Sequence, residues 1–224
     1  MQSLDTLDSR ALRAIDCYGQ RFMREGSFAY HVLPAGGAAV NLERPFKIDV
    51  ATRKSEGRMT QHHVSLSWDG RRFEPDTKTV LQIESGDLIS WNCPDQQAPA
   101  FEVAGDKGFF GSASLVNECG YSHAFGLPGA YRWIDMNGSG LSGVVRVTAA
   151  QCAKREDLAH WRAQLGKAAL VMIQQGKAEP AEVDVVVGQT VYFAVVAGPG
   201  ITITDARLVH DRPEDCGGGG NKTA

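Results

Sequence analysis

Two pairs of segments in this 224-residue chain share a pattern, and that repetition constrains the fold more than any single motif does. "GSFAYHVLPAGGAAVNLERPFKIDV" near the N-terminus resembles "GAYRWIDMNGSGLSGVVRV" in the middle. Each has a glycine, an alternating aromatic strand, a Gly-rich turn and a short closing strand. "TVLQIESGDLISWNCPDQQAPAFEV" in the middle resembles "AEVDVVVGQTVYFAVVAGPGITIT" near the C-terminus. Here the common order is an apolar strand, a Gly-containing hinge, a second strand, a polar loop and a third strand.

The local patterning is that of short strands. "HVSLSW" alternates Val64, Leu66 and Trp68 with more polar neighbours, so one face is buried. Asp69-Gly70 marks a turn, and Ser85-Gly86-Asp87 hinges two strands within "TVLQIESGDLISWNC". "APAFEVAG", "YSHAFGLPG", "AYRWID" and "SGVVRVTA" continue the run, and "GSFAYHVL" and "FKIDV" precede it. This density of short strands predicts a mainly β chain built as a β-sandwich. Two helices are expected beside it. One covers residues 8–24, capped by Asp8 or Ser9, with Leu12, Ile15 and Phe22 on one face. The other covers 152–175, with Leu158, Trp161, Leu165, Ala168 and Met172 along one stripe.

Residues 62–148 resemble a cupredoxin, the blue-copper β-sandwich. "DGRRFEP" is similar to its early loop, "LQIESGDLISWNC" to the strand-turn-strand before the first copper histidine, and "YSHAFGLPGAYRW" to the strand and turn before the copper cysteine. "LSGVVRV" is similar to its closing strand. The resemblance implies a Greek-key sandwich. It also implies where copper ligands should stand, and there this chain departs. A blue-copper site needs two imidazoles and a thiolate, often with an axial Met. The thiolate position holds Asp135, the following histidine position Gly138 and the Met position Leu141, and the upstream histidine aligns near Ala100. No copper cofactor is therefore expected.

On this resemblance the N-terminal segment corresponds to the back of such a sandwich and the C-terminal segment to the front. The expected architecture is a contiguous central domain over 58–150 and a second, split one from 1–57 and 178–212. A helix over 151–177 bridges the two, and 213–224 form a flexible tail. Neither end can satisfy its apolar face and strand edges alone. The ends join within one chain, join head to tail between neighbouring chains, or remain hairpins extending a single sandwich. Effective concentration favours the first option.

The net charge of −3 gives no drive toward nucleic acid or anionic lipid. The longest apolar run in the second helix, "AALVMI", is too short to span a bilayer. The polar start "MQSLDTLDSRALRAIDCYGQ" does not read as a signal peptide, so a cytoplasmic location is expected, the periplasm following only from the family analogy. The five scattered cysteines read as free thiols, with Cys17, Cys93 and Cys152 the ones expected to be buried.

Few residues suggest chemistry. His62 and His63 are consecutive on a strand and point to opposite faces. Cys119 with His123 is the best nucleophile pair, although no triad context accompanies it. Asp135 with Asp106 or Glu118 is the candidate carboxylate site for a hard cation. The sequence thus favours a non-catalytic accessory subunit that docks onto other proteins, by family analogy within an electron-transfer assembly. The alternative is a metalloprotein with an unconventional site drawn from His62, His63, Cys119, His123 and Met136.

Overall fold

The computed structural model describes residues 5–36, 45–54, 58–151 and 153–210. The chain is mainly β, with sixteen strands in three sheets among the described residues. The first eight strands are β1 (Cys17–Arg21), β2 (Gly26–Pro34), β3 (Phe46–Ala51), β4 (Gln61–Trp68), β5 (Phe73–Pro75), β6 (Val80–Glu84), β7 (Leu88–Asn92) and β8 (Phe101–Gly105). The second eight are β9 (Leu115–Ala124), β10 (Gly129–Ile134), β11 (Ser142–Thr148), β12 (Ala169–Gln174), β13 (Lys177–Glu179), β14 (Glu182–Val186), β15 (Thr190–Ile201) and β16 (Thr204–Asp205).

The two sets pair identically. In the first, β2 lies antiparallel between β3 and β8, and β3 runs parallel to β6. In the second, β10 lies antiparallel between β11 and β16, and β11 runs parallel to β14. Likewise β7 pairs with β1 and, in parallel, with β4, while β15 pairs with β9 and, in parallel, with β12. The pairs β4–β5 and β12–β13 close the pattern. Each set thus yields a four-stranded sheet plus four strands of a shared eight-stranded sheet, ordered β13-β12-β15-β9-β1-β7-β4-β5.

Aromatic contacts between sheets repeat as well. Trp91 stacks on Tyr18 at 5.5 Å and meets Tyr30 of the facing sheet edge-on at 5.6 Å. Phe193 stacks on Tyr121 at 6.0 Å and meets Trp133 edge-on at 5.5 Å. Gly86 (φ +90°) and Gly188 (φ +83°) occupy the same hinge in the two halves, where the left-handed backbone suits glycine.

The seam is β1 against β9, antiparallel, with Tyr18 opposite Tyr121. These tyrosines are counterparts, so an approximate two-fold axis passes between them. Short tethers cross the seam in both directions. Ser9 donates its N–H to Ile203 (2.9 Å) and accepts at Oγ from the Ile203 N–H. Ser112 does the same with Val103. The Asp8 N–H donates to the Tyr121 hydroxyl, and the Gly111 N–H donates to the Tyr18 hydroxyl. Phe110 thereby enters the first core, in ring contact with Trp91, Tyr30 and Phe22.

Several expectations are corrected. The strands of the two ends do not join in one sandwich; the ends meet where residues 7–9 bridge to 203–205. Strands β1–β3 close onto β4–β8, and β12–β16 close onto β9–β11, so residues 58–150 are divided between two consecutive halves. Residues 8–24 are not helical. A turn spans residues 13–16, where Asp16 accepts the Arg13 N–H, and β1 follows with both edges hydrogen-bonded. The second helix is shorter, α1 at Arg155–Leu165, and buries no residue. Gly166 caps it, and "ALVMIQ" becomes β12 because buried Val171 and Ile173 alternate with exposed Leu170 and Met172. Trp161 does not bridge two cores; its indole N–H donates to the Val187 carbonyl. A one-turn helix, α2 (Arg207–His210), follows β16. The tail over 213–224 and Cys152 lie outside the described residues.

Candidate functional site

His62, His63, Cys119 and His123 lie on strands of the eight-stranded sheet, and the strands keep the two histidines of β4 from the Cys119 and His123 of β9. Cys119 and His123 are four residues apart on β9, about 13 Å at ~3.3 Å per residue, with Tyr121 between them. They do not form a nucleophile pair. Burial pushes the Cys119 thiol up to about 12, so it carries its proton at neutral pH. Cys17 is likewise raised to about 11 by burial, with the neighbouring Asp16 adding to the shift. Cys93 and Cys119 are buried, Cys17 half-buried, and all three are free thiols.

His123 instead faces Asp16 across the seam, with Nδ1 2.7 Å from Oδ1. The Tyr121 hydroxyl donates to the same oxygen. All three side chains are buried, and Nε2 of His123 has no hydrogen-bond partner among the described residues. Asp16 was not singled out by sequence, because its partner lies 107 positions away. The two-fold axis relates this pair to Gln20 and Cys119, which face each other at the other end of the same strands. One end of the seam thus holds an ionisable pair and the other a neutral amide and a thiol.

His62 and His63 separate as well. Nε2 of His62 lies 3.1 Å from Asp87, while Nδ1 of His63 lies 2.8 Å from the Ser90 hydroxyl. Asp87 is a hub at the β6–β7 hinge. Its burial opposes ionisation, but hydrogen bonds from the Thr60 N–H, His62, the Glu84 N–H and Arg53 outweigh it and hold the carboxyl well below its ordinary pKa. Asp135 is a turn cap. It accepts from the N–H groups of Asn137, Ser139 and Thr202 and from the Thr202 hydroxyl. Burial raises its pKa, and the bonds from Ser139, Thr202 and Asn137 lower it further than that. Met136, half-buried beside it, donates its N–H to Thr202. Among the described residues no three His, Cys, Asp or Glu side chains converge as a metal site.

The outward face of the eight-stranded sheet is a different kind of surface. One register row crosses six strands: Met172, Ala194, Gly120, Gly19, Ser90 and His63. Its centre is flat because of the two glycines, and the Tyr192 ring lies over Gly120. One end of this face is apolar, with Leu170, Met172 and Val196 exposed beside half-buried Tyr192. The other end is polar, with Gln61, His63 and Ser67 exposed. No helix is long and apolar enough to cross a membrane among the described residues. No family model matches this chain, and no curated protein and no solved structure matches it either.

Proposed function

We propose that this chain is a non-catalytic accessory protein that docks another protein on the outward face of its eight-stranded sheet. In this reading each half is a cupredoxin-like Greek-key sandwich without copper ligands, and the partner belongs to an electron-transfer assembly. One observation carries the proposal: Leu170, Met172 and Val196 are exposed together at one end of a flat, continuous face. Large apolar side chains gathered on a surface favour association, because burial on a partner removes apolar area from water. The raised thiols and the structural use of His62, His123, Asp87 and Asp135 support a scaffold rather than a reactive centre.

The test is a quantified pull-down from native source material with the wild type and the Leu170→Glu, Met172→Glu double variant. Both side chains are exposed, so the melting temperature should hold within a few degrees. Recovery of the main partner should fall tenfold or more, and that partner should be a subunit of a redox-active complex. Equal recovery by the double variant would reject the face. A partner free of any redox complex would reject the assembly.

A further inference from the structure

Among the equivalent positions at which the two halves differ, one lies beside a cavity. In the second half Gly143, paired with Trp133 between β11 and β10, has the carbonyl oxygen of Ala181 and the indole of Trp133 packed onto it. A Cβ there would lie 2.5 Å from that oxygen and 2.7 Å from the indole nitrogen. No side chain fits. The counterpart in the first half is Phe46, whose ring packs against Tyr30, the counterpart of Trp133. The connection into the next strand is also two residues longer in the first half, 76–79 between β5 and β6 against 180–181 between β13 and β14. Between β2, β5 and this longer connection lies a cavity of about 640 Å³.

The walls indicate what fits. Phe73 is buried, and Phe46 and Leu33 are half-buried, so much of the lining is aromatic or aliphatic. His31, 6% exposed, and Thr77 bring polar groups to it. The Thr77 hydroxyl oxygen is buried and has no hydrogen-bond partner among the described residues. An unpaired buried hydroxyl is costly, and a ligand that pairs it recovers that cost. At the rim Arg72 is already paired with Glu74, so the mouth offers no net charge to an ion. The volume lies within the ~300–1,000 Å³ of small-molecule sites.

We propose that this cavity binds a small uncharged aromatic molecule carrying one hydrogen-bonding group, of the size of a substituted phenol or indole. The ring sits between Phe46 and Phe73, and the polar group pairs with the Thr77 hydroxyl. The site is on the first half alone and is independent of the docking face.

The test is a titration of the full ¹⁵N-labelled chain with 4-methylphenol and with indole, followed by amide shifts. Saturable shifts are expected at residues 31–33, 46 and 73–79. Thr77→Trp fills the cavity and should weaken binding tenfold or more, whereas Thr77→Val removes only the hydroxyl and should weaken it about threefold to tenfold. If Thr77→Trp fails to fold, Leu33→Trp serves as the filling variant. Absence of saturable shifts up to the probes' solubility would overturn the proposal. So would shifts centred elsewhere, or binding that survives the filling variant unchanged.

Discussion

The first and second halves pair their strands in the same way but hold the hinge before β7 and β15 differently. In the first half Asp87 accepts the N–H groups of Thr60 and Glu84 and meets Arg53 and His62. In the second half Gln189 occupies the matching place, accepting the Val186 N–H and donating to the Lys167 carbonyl. The backbone need is common to both: a side-chain acceptor for the strand end before the hinge. A charge serves where Arg53 meets it, and an amide serves where a carbonyl does. The strand arrangement therefore rests on the apolar core and backbone ladders, while polar groups at its ends are free to differ.

The largest expected effect tests whether the halves are one folding unit. Trp91→Ala and Phe193→Ala each remove the central ring of one core and should each cost about 3–5 kcal/mol. The seam and its tethers couple the halves, so each variant should still unfold in one transition in urea, followed by circular dichroism and hydrogen exchange together. Two separated transitions, with only the mutated half lost first, would break the coupling.

The next effect separates the hinges. Asp87→Ala should cost about 2–3 kcal/mol because it strands Arg53, 19% exposed, without its main partner. Gln189→Ala should cost about 1 kcal/mol. The pH response follows from the depressed folded pKa of Asp87. Its stabilisation is complete above the unfolded value of about 3.9 and is lost as pH falls below that toward the folded value. The difference in melting temperature between wild type and Asp87→Asn should therefore be full at pH 5 and shrink below about pH 4. A constant difference down to pH 2 would remove Asp87 as the charged hub.

The smallest effect compares the two glycines at the seam. A Cβ on Gly120 would lie 2.1 Å from the Tyr192 hydroxyl, whereas on Gly19 it would find nothing nearer than 3.6 Å. Gly120→Ala should cost about 1–3 kcal/mol, and Gly19→Ala should stay within about 0.5 kcal/mol of wild type. Equal values would show that Tyr192 moves aside freely.

Much of this architecture was legible in the sequence. Alternation located β2, β3, β4 and the hinged pairs, and the repetition of segments revealed that one strand set occurs twice. The partnership of the segments was not legible. Counterpart strands present the same inner residues, Tyr30 or Trp133, Trp91 or Phe193, so either closure buries a similar surface. The observed closure is accompanied by tethers as short as "LDS" and "FGS", too brief to read as signals. β1 and β12 were mistaken for helix because three- and four-residue spacings of apolar side chains arise by chance beside genuine alternation. The partners of the site residues are not legible in the sequence. Asp16 reaches His123 only through the seam, and no local spacing encodes a contact of that range.

The tethers also set an order in time. A chain emerging from the ribosome presents Leu7, Asp8 and Ser9 long before the groups that receive them, Ile203, Thr204 and Asp205, with 194 positions separating Ser9 from Ile203. Phe110 and Ser112, by contrast, emerge soon after Val103 and Gly105, to which they bind. The first half thus acquires its crossing segment while synthesis is under way. Leu7, Asp8 and Ser9 wait for their place until almost all of the second half has been made.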